Sequence, residues 1–183
     1  MFIRLLGKIA YTLDRIKNKV LRTYLLSRVK HGKNCSIRGR GQFVGNIILG
    51  DDVTIGVDSI FLSTEAEIRI GNKVLFGPHV FIITGNHQIN QIGNYITDVT
   101  SKTEVCDADV IIEDDCWIGA GAIILKGVTI GRGSVIGAGS VVTKSTKPYS
   151  VNAGNPCRFI KMRFSEAEIL EHEKLLKEKN CKS

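Results

Sequence analysis

The sequence predicts an all-β solenoid of stacked hexapeptide coils. Three observations carry that prediction. An isoleucine recurs every six residues at Ile112, Ile118, Ile124, Ile130 and Ile136, and Val142 takes the next step. Four residues after each isoleucine stands a small or β-branched residue: Cys116, Ala122, Val128, Ser134 and Ser140. Gly119, Gly131 and Gly137 directly follow the apolar residue, where a side chain would crowd a bend. A period of six fits neither a helix nor an ordinary strand pair and marks a repeated structural unit. A strand alternates faces with period two, so six residues hold a short strand and a corner. Stacked coils then pair as parallel strands about 4.8 Å apart, and the product is a quasi-one-dimensional solenoid with an aliphatic core.

The first element is helical. Phe2, Leu5, Leu6, Ile9, Leu13, Ile16, Val20, Tyr24 and Leu25 recur at spacings of three and four, a helix period. Residues 1–30 hold eight Lys/Arg against Asp14, a charge of +7. The whole chain is also +7, so the remaining residues, seventeen basic against seventeen acidic, are neutral. A basic amphipathic helix suits an anionic membrane surface. It also suits a terminal cap over the solenoid's open end. The two readings are compatible.

The solenoid is expected over residues 31–163. His31, Ile37, Phe43, Leu49, Ile55 and Phe61 step by six, with Cys35, Gly41, Ile47, Val53, Ser59 and Glu65 four residues later. His31 and Glu65 are poor interior residues, which starts the repeat near Ile37 and disturbs it near Glu65. A three-residue insertion follows before Ile70, Phe76 and Ile82 resume the step. The period disappears again from about 84 to 109, read as a loop leaving the solenoid; long loops in compact domains are usually functional or disordered. Residues 164–183 form a second helix, with Ser165 and Glu168 as a capping box. It is expected to pack over the other end or against a neighbouring subunit.

Composition narrows the classes. Nineteen glycines suit repeated corners. Five scattered cysteines without a CxxC spacing point to a reduced, cytoplasmic protein, and Cys35 and Cys116 fall on the small inward position. No cleavable signal and no run of 18 apolar residues is evident in the sequence. Among four histidines, His87 stands where strand residues Phe81-Ile82-Ile83 give way to the loop. A neutral imidazole accepts a proton near pH 7, so His87 is the general-base candidate.

The residues Thr84-Gly85-Asn86-His87, Trp117-Ile118-Gly119-Ala120, Val135 to Lys144 and Ala153-Gly154-Asn155-Pro156-Cys157-Arg158 together resemble the hexapeptide-repeat acyltransferases. The likeness covers about residues 31–163. It is nearest to the galactoside and maltose O-acetyltransferases and to those acting on capsule and lipopolysaccharide. The resemblance implies a left-handed parallel β-helix and a homotrimer with active sites between subunits. It also implies acetyl-CoA as cosubstrate, with no metal and no nucleic acid.

As implied by that likeness, His87 deprotonates a saccharide hydroxyl that attacks the thioester directly, and the backbone N–H of Ala120 donates to the oxyanion. Asn86 positions the acceptor or fixes the loop. Trp117 follows the inward Cys116, so it is expected at a corner, facing out, as a wall of the site. Gly119, Ala120, Ala138 and Thr143 would lie along the cofactor, and Lys144, Arg158 and Lys161 would meet its phosphates. A saccharide of surface polysaccharide biosynthesis is the expected acceptor, with peripheral contact to the inner membrane face through residues 1–30. Rival readings are an acetyltransferase for serine, an antibiotic or an amino sugar; a zinc-dependent carbonic anhydrase of the same fold; and a membrane-bound scaffold.

Overall fold

The computed structural model describes residues 2–101, 103 and 106–180. It opens with helix α1 (Phe2–Ser27). Three strands then make each coil. The first coil holds β1 (Lys30–His31), β2 (Ser36–Ile37) and β3 (Gly41–Val44), and the second holds β4 (Ile47–Leu49), β5 (Thr54–Ile55) and β6 (Ser59–Leu62). The third coil is β7 (Ile68–Ile70), β8 (Leu75–Phe76) and β9 (Phe81–Ile83). After the long loop come β10 (Val110–Ile112), β11 (Trp117–Ile118) and β12 (Ile123–Ile124), then β13 (Thr129–Ile130), β14 (Val135–Ile136) and β15 (Val141–Val142). A partial sixth coil has β16 (Ser150–Ala153), on which β17 (Arg158–Met162) folds back antiparallel. Helix α2 (Glu166–Asn180) closes the described chain.

The strands stack into three sheets, here A (β1-β4-β7-β10-β13), B (β2-β5-β8-β11-β14-β16-β17) and C (β3-β6-β9-β12-β15). Every coil-to-coil pairing is parallel, as expected. Lys30 pairs Ile48 and Ile111 pairs Thr129, so one coil is 18 residues, three hexapeptides. Ile48 pairs Arg69, which places three extra residues between β6 and β7. Arg69 pairs Ile111, which places 24 extra residues in the loop. Both interruptions fall where the sequence period breaks.

The core is the stepped apolar ladder. Ile37, Ile82, Ile118, Ile124, Ile130 and Ile136 are wholly buried, each contributing roughly 1.5–3 kcal/mol by leaving water. In the early coils aromatics fill the interior, with Phe43, Phe61 and Phe76 stacked at ring distances of 5.2 and 5.3 Å. Cys116 is buried as a packing residue, and burial pushes its thiol up to about 12. Strand pairing starts one hexapeptide earlier than expected, at Lys30–His31. His31 is exposed, so it joins the ladder by its backbone without entering the core.

The two helices sit differently on the solenoid. The capping box of α2 forms: the Glu168 N–H donates to Ser165 Oγ at 3.3 Å, and the Ser165 N–H to Glu168 Oε2 at 2.8 Å. Yet α2 does not cover the end of the solenoid. It lies along the corner between sheets A and B, because Arg163 pairs Asp115 at 2.8 Å, Tyr149 Oη donates to Glu173 at 3.1 Å, and His172 packs on Tyr149 and Phe164. At the other end, Leu21, Leu25 and Leu26 of α1 pack against the core. Leu13, Ile16, Val20 and Tyr24 of the predicted stripe stay exposed. The side chains of Phe2, Leu5, Leu6 and Ile9, the stripe's first members, lie outside the described residues.

Candidate active site

The site residues sort onto two corners of the triangular solenoid. The first lies between sheets B and C. Gly121 N–H donates to Pro78 O at 2.9 Å and Gly139 N–H to Ala120 O at 2.8 Å, so Pro78, Ala120 and Ala138 stack along one edge. Gly119 has to be glycine: an added Cβ would lie 2.5 Å from Ala138 N and 2.7 Å from Ile136 O. That bare approach keeps the edge shallow. The N–H groups of Ala120 and Ala138 have no acceptor among the described residues. Ala120 is half-buried and Ala138 exposed, which leaves two donors of the kind an oxyanion or an extended amide chain uses, on a backbone fixed by the ladder. His79 stands on the same edge, beside Pro78.

Trp117 is placed differently from expectation. It lies within strand β11, paired to Leu75 and Val135 on the outer face of sheet B, and not at a corner. The reason is that each corner here spans the four residues between strands, and Trp117 already pairs in the ladder. It does face out, 53% exposed, beside Leu75 at 48%.

The second corner lies between sheets C and A, where the loop leaves. Its base is pinched by backbone bonds: Thr84 N–H to Leu62 O at 3.1 Å, Ala108 N–H to Thr84 O at 2.9 Å, and Asn86 N–H to Cys106 O at 2.9 Å. Gly85 bridges Asp107 across the pinch. The three-residue insertion supports it from the coil below. Thr64 Oγ1 hydrogen-bonds Asp107 and its backbone N–H donates to Thr84 Oγ1 at 3.1 Å, and Glu67 N–H donates to Asp109 at 2.8 Å. Both breaks in the period therefore stack on one corner. Asn86 and His87 emerge there, exposed, and His87 has no hydrogen-bonding, ionic or ring partner among the described residues. Beside it, Gln88 Oε1 is buried without a partner.

At the C-terminal end, Lys144, Lys147 and Arg158 line one cleft of about 630 Å³ with Asn152, Cys157 and Phe159. Lys147 was not singled out from the sequence; its signal was its place three residues after Lys144. Thr143 adjoins the cleft without lining it, and Lys161 sits on β17 paired to Val151, also outside the lining. The cleft continues the first corner. Val141 N–H donates to Gly154 O at 3.0 Å and Gly154 N–H to Ser140 Oγ at 3.1 Å, which carries the Ala120–Ala138 edge onto the turn before Arg158. Among the described residues no group of three or more His, Cys, Asp or Glu is placed to hold a metal ion.

Comparison with known proteins agrees with this geometry. Residues 109–144 match the family model described as bacterial transferase hexapeptide (six repeats). The crystal structure of a hexapeptide-repeat-containing acetyltransferase from Vibrio cholerae is 30% identical with a TM-score of 0.66, covering 90% of this chain and 94% of that one. The same Vibrio protein complexed with acetyl coenzyme A superposes with a TM-score of 0.66 at 29% identity, over 76% of this chain and 74% of that one. A galactoside O-acetyltransferase from Lactococcus lactis is 34% identical over 145 residues, 78% of this chain and 66% of the relative. A chloramphenicol acetyltransferase from Klebsiella aerogenes is 46% identical over 124 residues, 62% of this chain and 56% of the relative. The chain thus spans about two thirds or less of these two curated relatives' length. One corner with two free N–H groups, an extruded histidine loop, a matched repeat and a near full-length structural likeness make this chain a member of the hexapeptide-repeat acetyltransferases.

Proposed function

We propose that this protein transfers the acetyl group of acetyl-CoA to a hydroxyl of a saccharide, in a homotrimer whose active sites lie between subunits. One observation carries the reading. His87 leaves at the corner between sheets C and A, whereas the free N–H of Ala120 lies at the corner between sheets B and C. A single chain offers two half sites on different edges, and a neighbouring copy supplies the missing half at each. In the trimer, the basic cleft at Lys144, Lys147 and Arg158 takes the cofactor's phosphates. Its pantetheine arm runs along the Ala138 edge toward Ala120, and Trp117 walls the meeting point.

The chemistry follows from proximity and a base. The acceptor hydroxyl gives its proton to the His87 imidazole as its oxygen bonds the thioester carbonyl carbon. The oxyanion accepts from the Ala120 N–H. The C–S bond then breaks, and the thiolate of CoA takes the proton from the imidazolium. No covalent enzyme intermediate is needed; orientation supplies most of the acceleration and the base a further 10²–10⁴-fold or so. The saccharide acceptor is favoured by the galactoside enzyme's name and by the exposed, polar Asn86 beside His87. The Klebsiella relative's name favours the antibiotic reading.

Two experiments decide. Release of free thiol from acetyl-CoA is measured against a panel of saccharides, serine and chloramphenicol; turnover confined to chloramphenicol or serine overturns the saccharide reading. Subunit sharing is tested by complementation. His87→Ala and Arg158→Glu chains, each inactive alone, are refolded together. On random mixing about a quarter of the interfaces pair an intact His87 with an intact Arg158, so activity returns. A mixture as inactive as its components places the site within one chain.

A further inference from the structure

Helix α1 presents two faces with different fates. Leu21 and Leu25 point to the first coil and pack on the core. Leu13, Ile16, Val20 and Tyr24 are 61%, 57%, 64% and 57% exposed. At 3.6 residues per turn these four fall within an arc of about 80°, centred about 140° away from Leu25. The apolar stripe is therefore not the capping face. The cap occupies the last turns of the helix, and the stripe faces away from the solenoid.

We propose that this stripe seats α1 in the plane of an anionic lipid surface. Charge selects the occupant. Residues 1–30 carry +7, and the remainder of the chain is neutral. A second copy of the helix would bring the same positive charge against it, and the solenoid has no surplus of acids to offset that. An anionic bilayer satisfies both demands: it takes the apolar stripe at the headgroup boundary and attracts Lys17 and Lys19, which flank it. No described helix is long and apolar enough to cross a membrane, so α1 lies on the surface and does not span it. The solenoid would then stand with its first coil against the membrane.

The test uses the full chain and lipid vesicles, and needs no acetyl acceptor. Co-sedimentation is measured with phosphatidylcholine vesicles and with vesicles that also contain phosphatidylglycerol. Binding to the anionic vesicles is expected at least about tenfold tighter, and weaker at high salt. The double variant Ile16→Glu/Val20→Glu is expected to lose at least about tenfold of that binding. Its unfolding temperature stays at wild type, because neither side chain touches the core. Equal affinity for both vesicle types, no binding at all, or wild-type binding by the variant overturns the proposal. So does a change in the variant's oligomeric state without lipid, which would assign the stripe to a second copy of the chain.

Discussion

The corner between sheets B and C and the corner between sheets C and A are built from the same hexapeptide, yet they do opposite things. The first keeps the period from coil to coil, with Pro78, Ala120 and Ala138 in register. Around Ala120 and Ala138 it presents backbone, because the neighbouring side chains are cut back to alanine and glycine. The second corner breaks the period twice, by three residues after β6 and by 24 after β9. It presents side chains on a loop whose tip has little to hold it: Ile89, Ile92 and Tyr95 are 76%, 99% and 80% exposed. Regular stacking fixes dipoles in place, whereas the interruption carries a titratable side chain away from the ladder. An enzyme using both needs both kinds of corner.

The largest effects should separate the two corners cleanly. His87→Ala is expected to lower kcat by about 10²–10⁴-fold while leaving the unfolding temperature unchanged. His79→Ala, on the regular edge, should leave kcat within about threefold, since uniform losses would mark a structural effect and not a base. If His79→Ala were the more damaging, the base would belong to the B–C corner and the two-chain site would fail. Stability should respond in the opposite sense. Ile124→Ala, wholly buried, is expected to cost about 2–5 kcal/mol in denaturant unfolding. Ile92→Ala on the loop should cost under about 0.5 kcal/mol. Comparable costs would mean that the loop is part of the folded core.

A middle-sized effect probes how the broken corner is held. Thr64 belongs to the short insertion and bonds both Thr84 and Asp107 at the loop base. Thr64→Val removes the hydroxyl and is expected to cost about 0.5–1.5 kcal/mol. It should also lower kcat several-fold by loosening His87, with the pH profile of kcat unchanged. A shifted pH profile would give Thr64 a direct electrostatic part in the chemistry.

How much of this was legible in the sequence follows from what a period encodes. It encodes inward against outward, so the core ladder, both interruptions and the emergence of His87 could be read in advance. The capping box of α2 was equally local. A period does not say how many sides the solenoid has, because that depends on how sharply each corner bends. Hence the stacking of both interruptions on one corner was not visible, nor that Trp117 sits in a strand. The seat of α2 depends on Arg163 meeting Asp115, 48 residues away, and no local pattern announces it. For α1 the amphipathic stripe was plain, but its separation from the capping face needed the solenoid in place.

The third corner, between sheets A and B, supplies the smallest effect and a control for the other two. Its polar residues bond from coil to coil: Lys33 N–H to Asp51, Asp51 N–H to Asn72, and Asn72 N–H to Asp114. Beside this row, hydrogen bonds from Lys73 and then Asn34 hold the Asp52 carboxyl below its ordinary value of 3.8. A depressed folded value means that the contribution is present above pH 3.8 and is lost as pH falls through the folded value. The same pairing raises Lys73 above 10.5, so its share persists below that pH and disappears only as pH rises through the folded value. Asp52→Asn should therefore lower the unfolding temperature slightly at pH 7 and not at all near pH 2. Salt should shrink the difference, because the pair is exposed. Turnover should not follow it at any pH where the protein is folded. A change in kcat with Asp52→Asn would mean that the third corner communicates with the other two, and that the division of labour between corners is not a local property of each.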